Sequence, residues 1–168
     1  MLIILGGRPG SGKTTIARAL ARRLDGVHVR VDTIEQALRN SGMLKSEVGP
    51  AGYIVAYGVA GDNLRLGRIV IADTVNPIQI TREAWRDVAE RAGVLAVEVG
   101  ILCSDKAEHR RRLETRQPDI EGLTNPTWEE VITQTYDAWD TSVIVVDTAG
   151  AETDEIVTKL AERLKSLS

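Results

Sequence analysis

Apolar positions along the chain fall into blocks. Short, nearly continuous runs of Val, Ile and Leu occupy Leu2–Leu5, Val27–Val31, Ile69–Ala72, Leu95–Leu102 and Val143–Val146. Runs that do not alternate with polar residues suit strands buried on both faces, as in parallel sheets. Helical patterns lie between them. Lys13–Leu24 sets Ile16, Ala17, Leu20, Ala21 and Leu24 on one stripe. Thr33–Asn40 opens on a capping residue and stops before Gly42. Ala51–Leu66 is apolar but interrupted by Gly52, Gly58 and Gly61, which weakens it as a helix former. Thr81–Ala92, Ser104–Arg116, Thr127–Trp139 and Thr153–Leu167 complete the set, with Thr127 and Glu130 at capping-box spacing. Strand and helix alternate throughout. This predicts an α/β doubly wound sheet whose right-handed crossovers put helices on both faces.

The 168 residues carry no internal repeat and no composition shift, so 1–168 reads as a single domain. At 43% apolar and 27% charged, the composition is that of an ordinary globular chain. A net charge of -3 excludes a generally basic nucleic-acid coat, although 16 of the 21 positive charges are arginine and a local patch stays open. The lone Cys103 excludes an internal disulfide or a cysteine zinc site and reads as a small buried residue. Trp85, Trp128 and Trp139 read as core. No apolar run approaches the roughly 18 residues of a membrane span, so a cytoplasmic protein is expected.

The strongest chemical signal is Gly7-Arg8-Pro9-Gly10-Ser11-Gly12-Lys13-Thr14. It matches G-x-x-x-x-G-K-[ST], after a strand and before an amphipathic helix. Such a loop turns consecutive backbone N–H groups inward over a helix N-terminus, where phosphates bind. Gly7, Arg8, Pro9, Gly10, Ser11, Gly12, Lys13, Thr14 and Thr15 are therefore expected to hold a nucleoside triphosphate. Lys13 would bridge the β- and γ-phosphates and Thr14 would ligate Mg²⁺.

Ligands of open α/β sheets bind beyond the carboxyl ends of the strands. Asp32, Asp73 and Asp147 stand just after strands two, three and five. Asp73 caps the apolar run 69–72 and is either a metal ligand opposite Thr14 or a turn-capping residue. Asp32 is either a general base for an acceptor hydroxyl or a helix cap competing with Thr33. Asp147-Thr148-Ala149-Gly150 is either a loop touching the nucleotide base or a plain turn.

Arg112 and Arg116, four apart, are expected on one helix face, one stacking on the base and the other meeting the transferring phosphate. Arg110 and Arg111 read as a solvated helix end. Residues 40–68 should cover the acceptor. There Tyr53 and Tyr57 either stack an acceptor ring or pack in the core, while Arg39 and Asn76 add polar contacts. The Pro- and Gly-bearing stretch 117–126 makes 105–126 a candidate lid.

On the loop at 7–14, Val31-Asp32-Thr33-Ile34-Glu35 after strand two, and Arg112-Leu-x-x-Arg116, the chain resembles the small P-loop kinases that include adenylate, shikimate, gluconate and adenylylsulfate kinases. It looks closest to the chloramphenicol phosphotransferase and zeta-toxin-like branch, whose members often go under the heading of AAA family ATPases. The resemblance implies a three-layer P-loop NTPase fold with strand order 2-3-1-4-5, ATP and Mg²⁺ as cofactors, and γ-phosphoryl transfer to a hydroxyl of a small-molecule acceptor near Asp32. It assigns catalytic roles to Lys13, Asp32, Arg112 and Arg116. One departure is that the first arginine after strand two is Arg39, at the far end of the helix, where nucleotide kinases carry one sooner. Two alternatives stay open: a nucleotide or polynucleotide 5′-kinase, and a nucleotide-dependent ATPase switch that binds a protein partner.

Overall fold

The computed structural model describes residues 1–44, 47–140 and 142–167. Among these residues, five strands form one parallel sheet: β1 (Leu2–Gly6), β2 (Val27–Arg30), β3 (Val70–Asp73), β4 (Ala96–Leu102) and β5 (Ile144–Asp147). Their order is β2-β3-β1-β4-β5, the arrangement expected of a P-loop NTPase. The helices that connect them are α1 (Lys13–Leu24), α2 (Val31–Asn40), α3 (Ala51–Arg65), α4 (Gln79–Arg91), α5 (Lys106–Thr115), α6 (Trp128–Thr133) and α7 (Thr153–Lys165).

The central strand explains the layering. Its residues Leu2, Ile3, Ile4 and Leu5 have no exposed surface, and a strand sends alternate side chains to opposite faces. Ile3 and Leu5 meet Ile16 and Leu20 of α1 and Leu160 and Leu164 of α7. Leu2 and Ile4 meet Ala56, Ala60 and Leu64 of α3 and Trp85 and Val88 of α4. Each fully buried Leu or Ile contributes roughly 1.5–3 kcal/mol of transfer free energy. The same parallel register aligns the strand ends: Leu5 and Arg30 both pair with Asp73, and Leu102 pairs with Asp147. The first polar groups after β1, β2 and β3 therefore come out on one rim.

Several boundaries depart from the expected ones. The second helix starts at Val31, so Asp32 lies in its first turn and Thr33 is not its cap. The fourth starts at Gln79, and Thr81 instead donates its hydroxyl to the Ile78 carbonyl at 2.8 Å. The fifth is capped by Asp105, whose carboxylate accepts from the Ala107 and Glu108 amides. The capping box of Thr127 and Glu130 forms, but α6 ends at Thr133. Beyond that end, Arg82 draws the chain away from the helical path. This side chain has no exposed surface and donates to the carbonyls of Asn76, Ala138 and Asp137. Its guanidinium also lies 4.1 Å from the Trp139 ring centroid and 5.2 Å from that of Tyr136. Trp139 is thus off the helix, both it and Trp128 at the start of α6 are half-buried, and of the three tryptophans only Trp85 is fully enclosed. Cys103 is buried, as expected, and burial pushes its thiol pKa up. Among the described residues no helix is long and apolar enough to cross a membrane.

Candidate functional site

The residues after β1 form the loop their sequence implies. Gly7 adopts a φ of +146°, and a Cβ there would collide with the Ile101 carbonyl of β4, so only glycine lets the loop leave the sheet this way. The Gly7 amide donates to the Val75 carbonyl at 3.0 Å. Two side chains brace the loop from behind. His109 Nε2 lies 2.8 Å from the Pro9 carbonyl, and the buried Thr148 hydroxyl donates to the Ser11 carbonyl at 2.9 Å. Lys13 begins α1, is almost wholly buried, and has Nζ 3.2 Å from the Arg8 carbonyl. Burial pushes its pKa down while Asp73 and Asp32 hold it up.

Two clefts meet at this lysine. One, of about 530 Å³, runs over the start of α1 and is lined by Gly10, Gly12, Thr15, Arg112, Thr148 and Ala151. The other, of about 390 Å³, lies between α2, the end of β3 and the 117–126 loop, with Asp32, Glu35, Gln36, Arg39, Asp73 and Asn125 among its walls. Lys13, Thr14 and Arg116 line both. The rim therefore has a phosphate loop at its centre, a long pocket on one side and a shorter polar pocket on the other.

Asp73 is 3% exposed at the end of β3. Burial alone would raise its pKa. The hydrogen bond from His28 Nε2 at 3.1 Å, the Lys13 charge and the Thr14 hydroxyl outweigh that and hold the carboxyl below the usual range. Thr14 and Asp73 thus offer one hydroxyl and one ionised carboxylate side by side. Mg²⁺ takes few protein ligands and completes its shell with water and phosphate oxygens, so this donor pair fits it. Among the described residues no group of three or more His, Cys, Asp or Glu side chains could cage a metal without phosphates.

The arginines separate. Arg116 is not in α5 but just past its end, in an extended conformation, so it does not share a helix face with Arg112. Arg112 turns toward the β5 loop, donating to the Thr148 hydroxyl at 2.8 Å and to its carbonyl at 2.9 Å, and pairs with Glu108 at 2.5 Å. Arg116 reaches both pockets, with Asp119 3.8 Å away.

Other expected site residues stand elsewhere. The Arg8 side chain points away from both pockets, hydrogen-bonded to the Val131 carbonyl and lying over the Tyr136 ring. Asp147 accepts from the Ser104 and Ala149 amides at 3.0 Å and shapes the turn. Ala149 and Gly150 do not line the long pocket, although Thr148 does. Tyr53 and Tyr57 face the core beneath α3. The Tyr53 hydroxyl meets Thr74 at 2.5 Å, and the Tyr57 ring packs edge-on against Trp85. Asn76 is fully buried, in a left-handed turn with φ 53°, and holds Arg82 through its carbonyl. Arg39 does line the short pocket. Of the segment 40–68, residues 45 and 46 lie outside the described residues.

A cluster that the sequence pattern did not single out joins the 117–126 loop to the sheet. Arg30, 5% exposed at the end of β2, donates to both Asp119 oxygens at 2.9 and 3.1 Å. Arg18 of α1 donates to the same carboxylate. Burial would raise the Asp119 pKa, but these two arginines hold it down to about 2. The loop also rests on α2. Asn40 donates to the Glu121 carbonyl at 3.3 Å, and Gly122 at φ +82° passes so close to Gln36 that a Cβ would meet Nε2 at 2.9 Å. Nothing local in β2 marks Arg30 as a partner of a loop 89 residues away.

The AAA domain family is matched over residues 2–136. A curated relative from Aeropyrum pernix named "Probable adenylyl-sulfate kinase" is 25% identical, over 99% of this chain and 93% of its own length. The APS kinase of Mycobacterium tuberculosis, solved with AMPPNP and APS, shares the fold at a TM-score of 0.73 and 20% identity, covering 98% of this chain and 96% of that one. A gluconokinase from Sinorhizobium meliloti has a TM-score of 0.63 at 19% identity, covering 99% and 96%. With its phosphate loop, its strand order and two pockets meeting at Lys13, the chain belongs to the AAA domain family and has the fold of the small P-loop kinases.

Proposed function

We propose that the protein is an ATP- and Mg²⁺-dependent kinase that transfers the γ-phosphoryl group to a hydroxyl of a small-molecule acceptor. The observation that carries this reading is the meeting of a long and a short pocket at Lys13, Thr14 and Arg116. A pure nucleotide switch needs only the first. The long pocket holds ATP, with its base toward Arg112 and Thr148 and its phosphates in the loop amides. Lys13 and Arg116 sit where the γ-phosphoryl charge spreads during transfer, and such positioning supplies most of the catalysis. Thr14 and Asp73 would hold Mg²⁺, which would supply positive charge beside the transferring phosphoryl group.

Asp32 lies in the first turn of α2, lines the short pocket and is 38% exposed, so a bound hydroxyl can reach it. Its carboxylate takes the proton as the acceptor oxygen attacks. The whole chain acts as one kinase domain, with 105–126 as the lid; the described part of 40–68 stands behind α2 and does not line the short pocket. In this reading the lid is closed, tied down through Asp119, Asn40 and Gln36. A second reading, transfer to adenylyl sulfate, has the name of the Aeropyrum relative in its favour.

The test traces the label of γ-labelled ATP with Mg²⁺ in three tubes, containing a metabolite fraction, an oligonucleotide fraction or neither. Label on an organic product in the metabolite tube is the expected result. Label released only as inorganic phosphate, at one rate in all three, contradicts a kinase and favours a nucleotide-dependent switch.

A further inference from the structure

Among the described residues the buried arginines are Arg82 and Arg30. Arg82 directs its guanidinium to the backbone carbonyls of Asn76, Pro77, Asp137 and Ala138, away from both pockets. Arg30 faces carboxylates instead, and each belongs to a different part of the site. Its Nη1 donates to Asp119 of the 117–126 loop at 2.9 and 3.1 Å. Its Nη2 is 3.5 Å from Asp32 Oδ2 in α2, and its Nε is 3.9 Å from Asp73 Oδ2 at the end of β3.

The fold dictates this meeting. Arg30 pairs with Asp73 across β2 and β3, and Asp32 follows two residues later in the first turn of α2. A guanidinium is a rigid planar fork of five N–H donors. Bonding Nη1 to Asp119 therefore fixes its plane and turns Nε and Nη2 toward Asp73 and Asp32. Those two nitrogens are buried and make no hydrogen bond, an uncommon and costly state for a donor. At 3.5 and 3.9 Å they act on the two carboxylates through charge.

Asp32 and Asp73 line the short pocket, whereas Arg30 is not among its walls. Arg30 therefore stands behind the two carboxylates and does not meet a bound acceptor. Asp119 has Arg18 and Arg116 as further ion partners, so the charge of the loop is matched without Arg30. The two pocket carboxylates would repel each other and the phosphates of a nucleotide if no cation stood between them.

We infer, resting on the kinase reading above, that Arg30 is a positioning residue for phosphoryl transfer. Docking of Asp119 orients its guanidinium, and the guanidinium holds Asp32 toward the acceptor and Asp73 toward the Mg²⁺ position. Loop closure and alignment of the two carboxylates are thereby one event, as when a lid completes a catalytic constellation. Asp119 acts on the chemistry through Arg30.

The experiment uses the full chain as wild type, Arg30→Gln, Arg30→Lys, Asp119→Asn and the double variant Arg30→Gln with Asp119→Asn. Calorimetry reads the affinity for AMPPNP with and without Mg²⁺, and the ratio is the Mg²⁺ response. Label from γ-labelled ATP on the metabolite fraction reads transfer. Arg30→Gln should keep Mg²⁺-free AMPPNP affinity within about twofold and lose about tenfold in Mg²⁺ response, the low end for a residue that orients a metal ligand. Its transfer should fall about 10²-fold, as it does when reacting groups are misplaced. Arg30→Lys keeps the charge without the fork and should fall between. Asp119→Asn should lower the Mg²⁺ response about threefold, the size of an exposed ion pair, and add nothing in the Arg30→Gln background. Additive losses in the double variant, or loss of Mg²⁺-free binding together with the response in Arg30→Gln, make Arg30 a structural residue and overturn its role. If Arg30→Gln does not fold, Asp119→Asn decides, and an unchanged Mg²⁺ response overturns the coupling. A wild type that labels no organic product overturns the kinase reading and the role of Arg30 with it. A wild type that transfers, beside variants unchanged in response and transfer, overturns the role of Arg30 and leaves the kinase reading standing.

Discussion

The proposed nucleotide half of the cleft has a floor of near-consecutive residues, Gly10 and Gly12 to Ile16, walled by Arg112, Arg116 and Thr148, while the acceptor half takes its walls from α2, the end of β3 and the 117–126 loop. In the first, consecutive residues make the floor. Glycine conformations and a helix N-terminus place the donors, and two outside side chains, His109 and Thr148, merely brace them. In the second, no two walls are adjacent in sequence, and the site exists only when the loop is docked. Local sites tolerate change at their periphery, whereas assembled ones depend on the contacts that join the pieces.

The largest effect should come where the halves meet. Arg116→Ala is expected to cut transfer about 10³-fold, the lower range for an arginine at a transferring phosphoryl. Arg112→Ala should mainly raise the KM for ATP, because Arg112 is tied to Thr148 on the far side of the long pocket. Equal losses of kcat in the two variants would break the division of roles. Lys13→Ala should lower kcat about 10²–10³-fold, as loss of one preorganised charge does elsewhere. Steady-state kinetics with ATP and acceptor varied separately reads all three variants.

A smaller change should separate stability from chemistry. Arg82→Ala removes a fully buried side chain and leaves the carbonyls at 76, 137 and 138, the first of them buried, without this donor, and is expected to cost about 3 kcal/mol, seen as a lower Tm. At a temperature where the variant is folded, both KM values should match the wild type, because neither pocket includes this staple.

The smallest effect concerns the lid tie. The folded pKa of Asp119 lies below its ordinary value of 3.8, at about 2. The contact is therefore fully present above about pH 4 and is lost as pH falls toward 2. Its partner Arg18 is largely exposed, so salt should weaken it as well. Limited proteolysis within 117–126 should accelerate modestly in 1 M salt, and in Asp119→Asn at neutral pH. The wild-type rate in both cases would mean that the loop is held by Asn40 and Gln36 alone.

Legibility in the sequence divides along the same line. The α/β alternation and the 7–14 loop are local patterns, and both stand in the structure at their expected places. Asp32 was visible as a strand-end acid, although its helix starts two residues earlier than Thr33 suggested. The Arg30–Asp119 tie was not legible, because it joins residues 89 apart through a loop without periodicity. Helical spacing put Arg112 and Arg116 on one face, but the helix ends between them, leaving Arg112 at the long pocket and Arg116 at the junction of both. Spacing also left two readings for Tyr53 and Tyr57. The apolar setting of α3 took both into the core, which is what leaves the acceptor pocket without a ring.

The most direct test separates the two halves of the cleft in one protein. Asp32→Asn is nearly isosteric and removes the proton acceptor together with the charge that faces Arg30 at 3.5 Å. ATP binding by calorimetry and label transfer to the acceptor would be measured on the same preparation. If Asp32 is the base, ATP affinity stays within twofold of the wild type and transfer falls at least about a hundredfold, the size of a lost general base. Undiminished transfer, or loss of ATP binding together with transfer, would contradict that role.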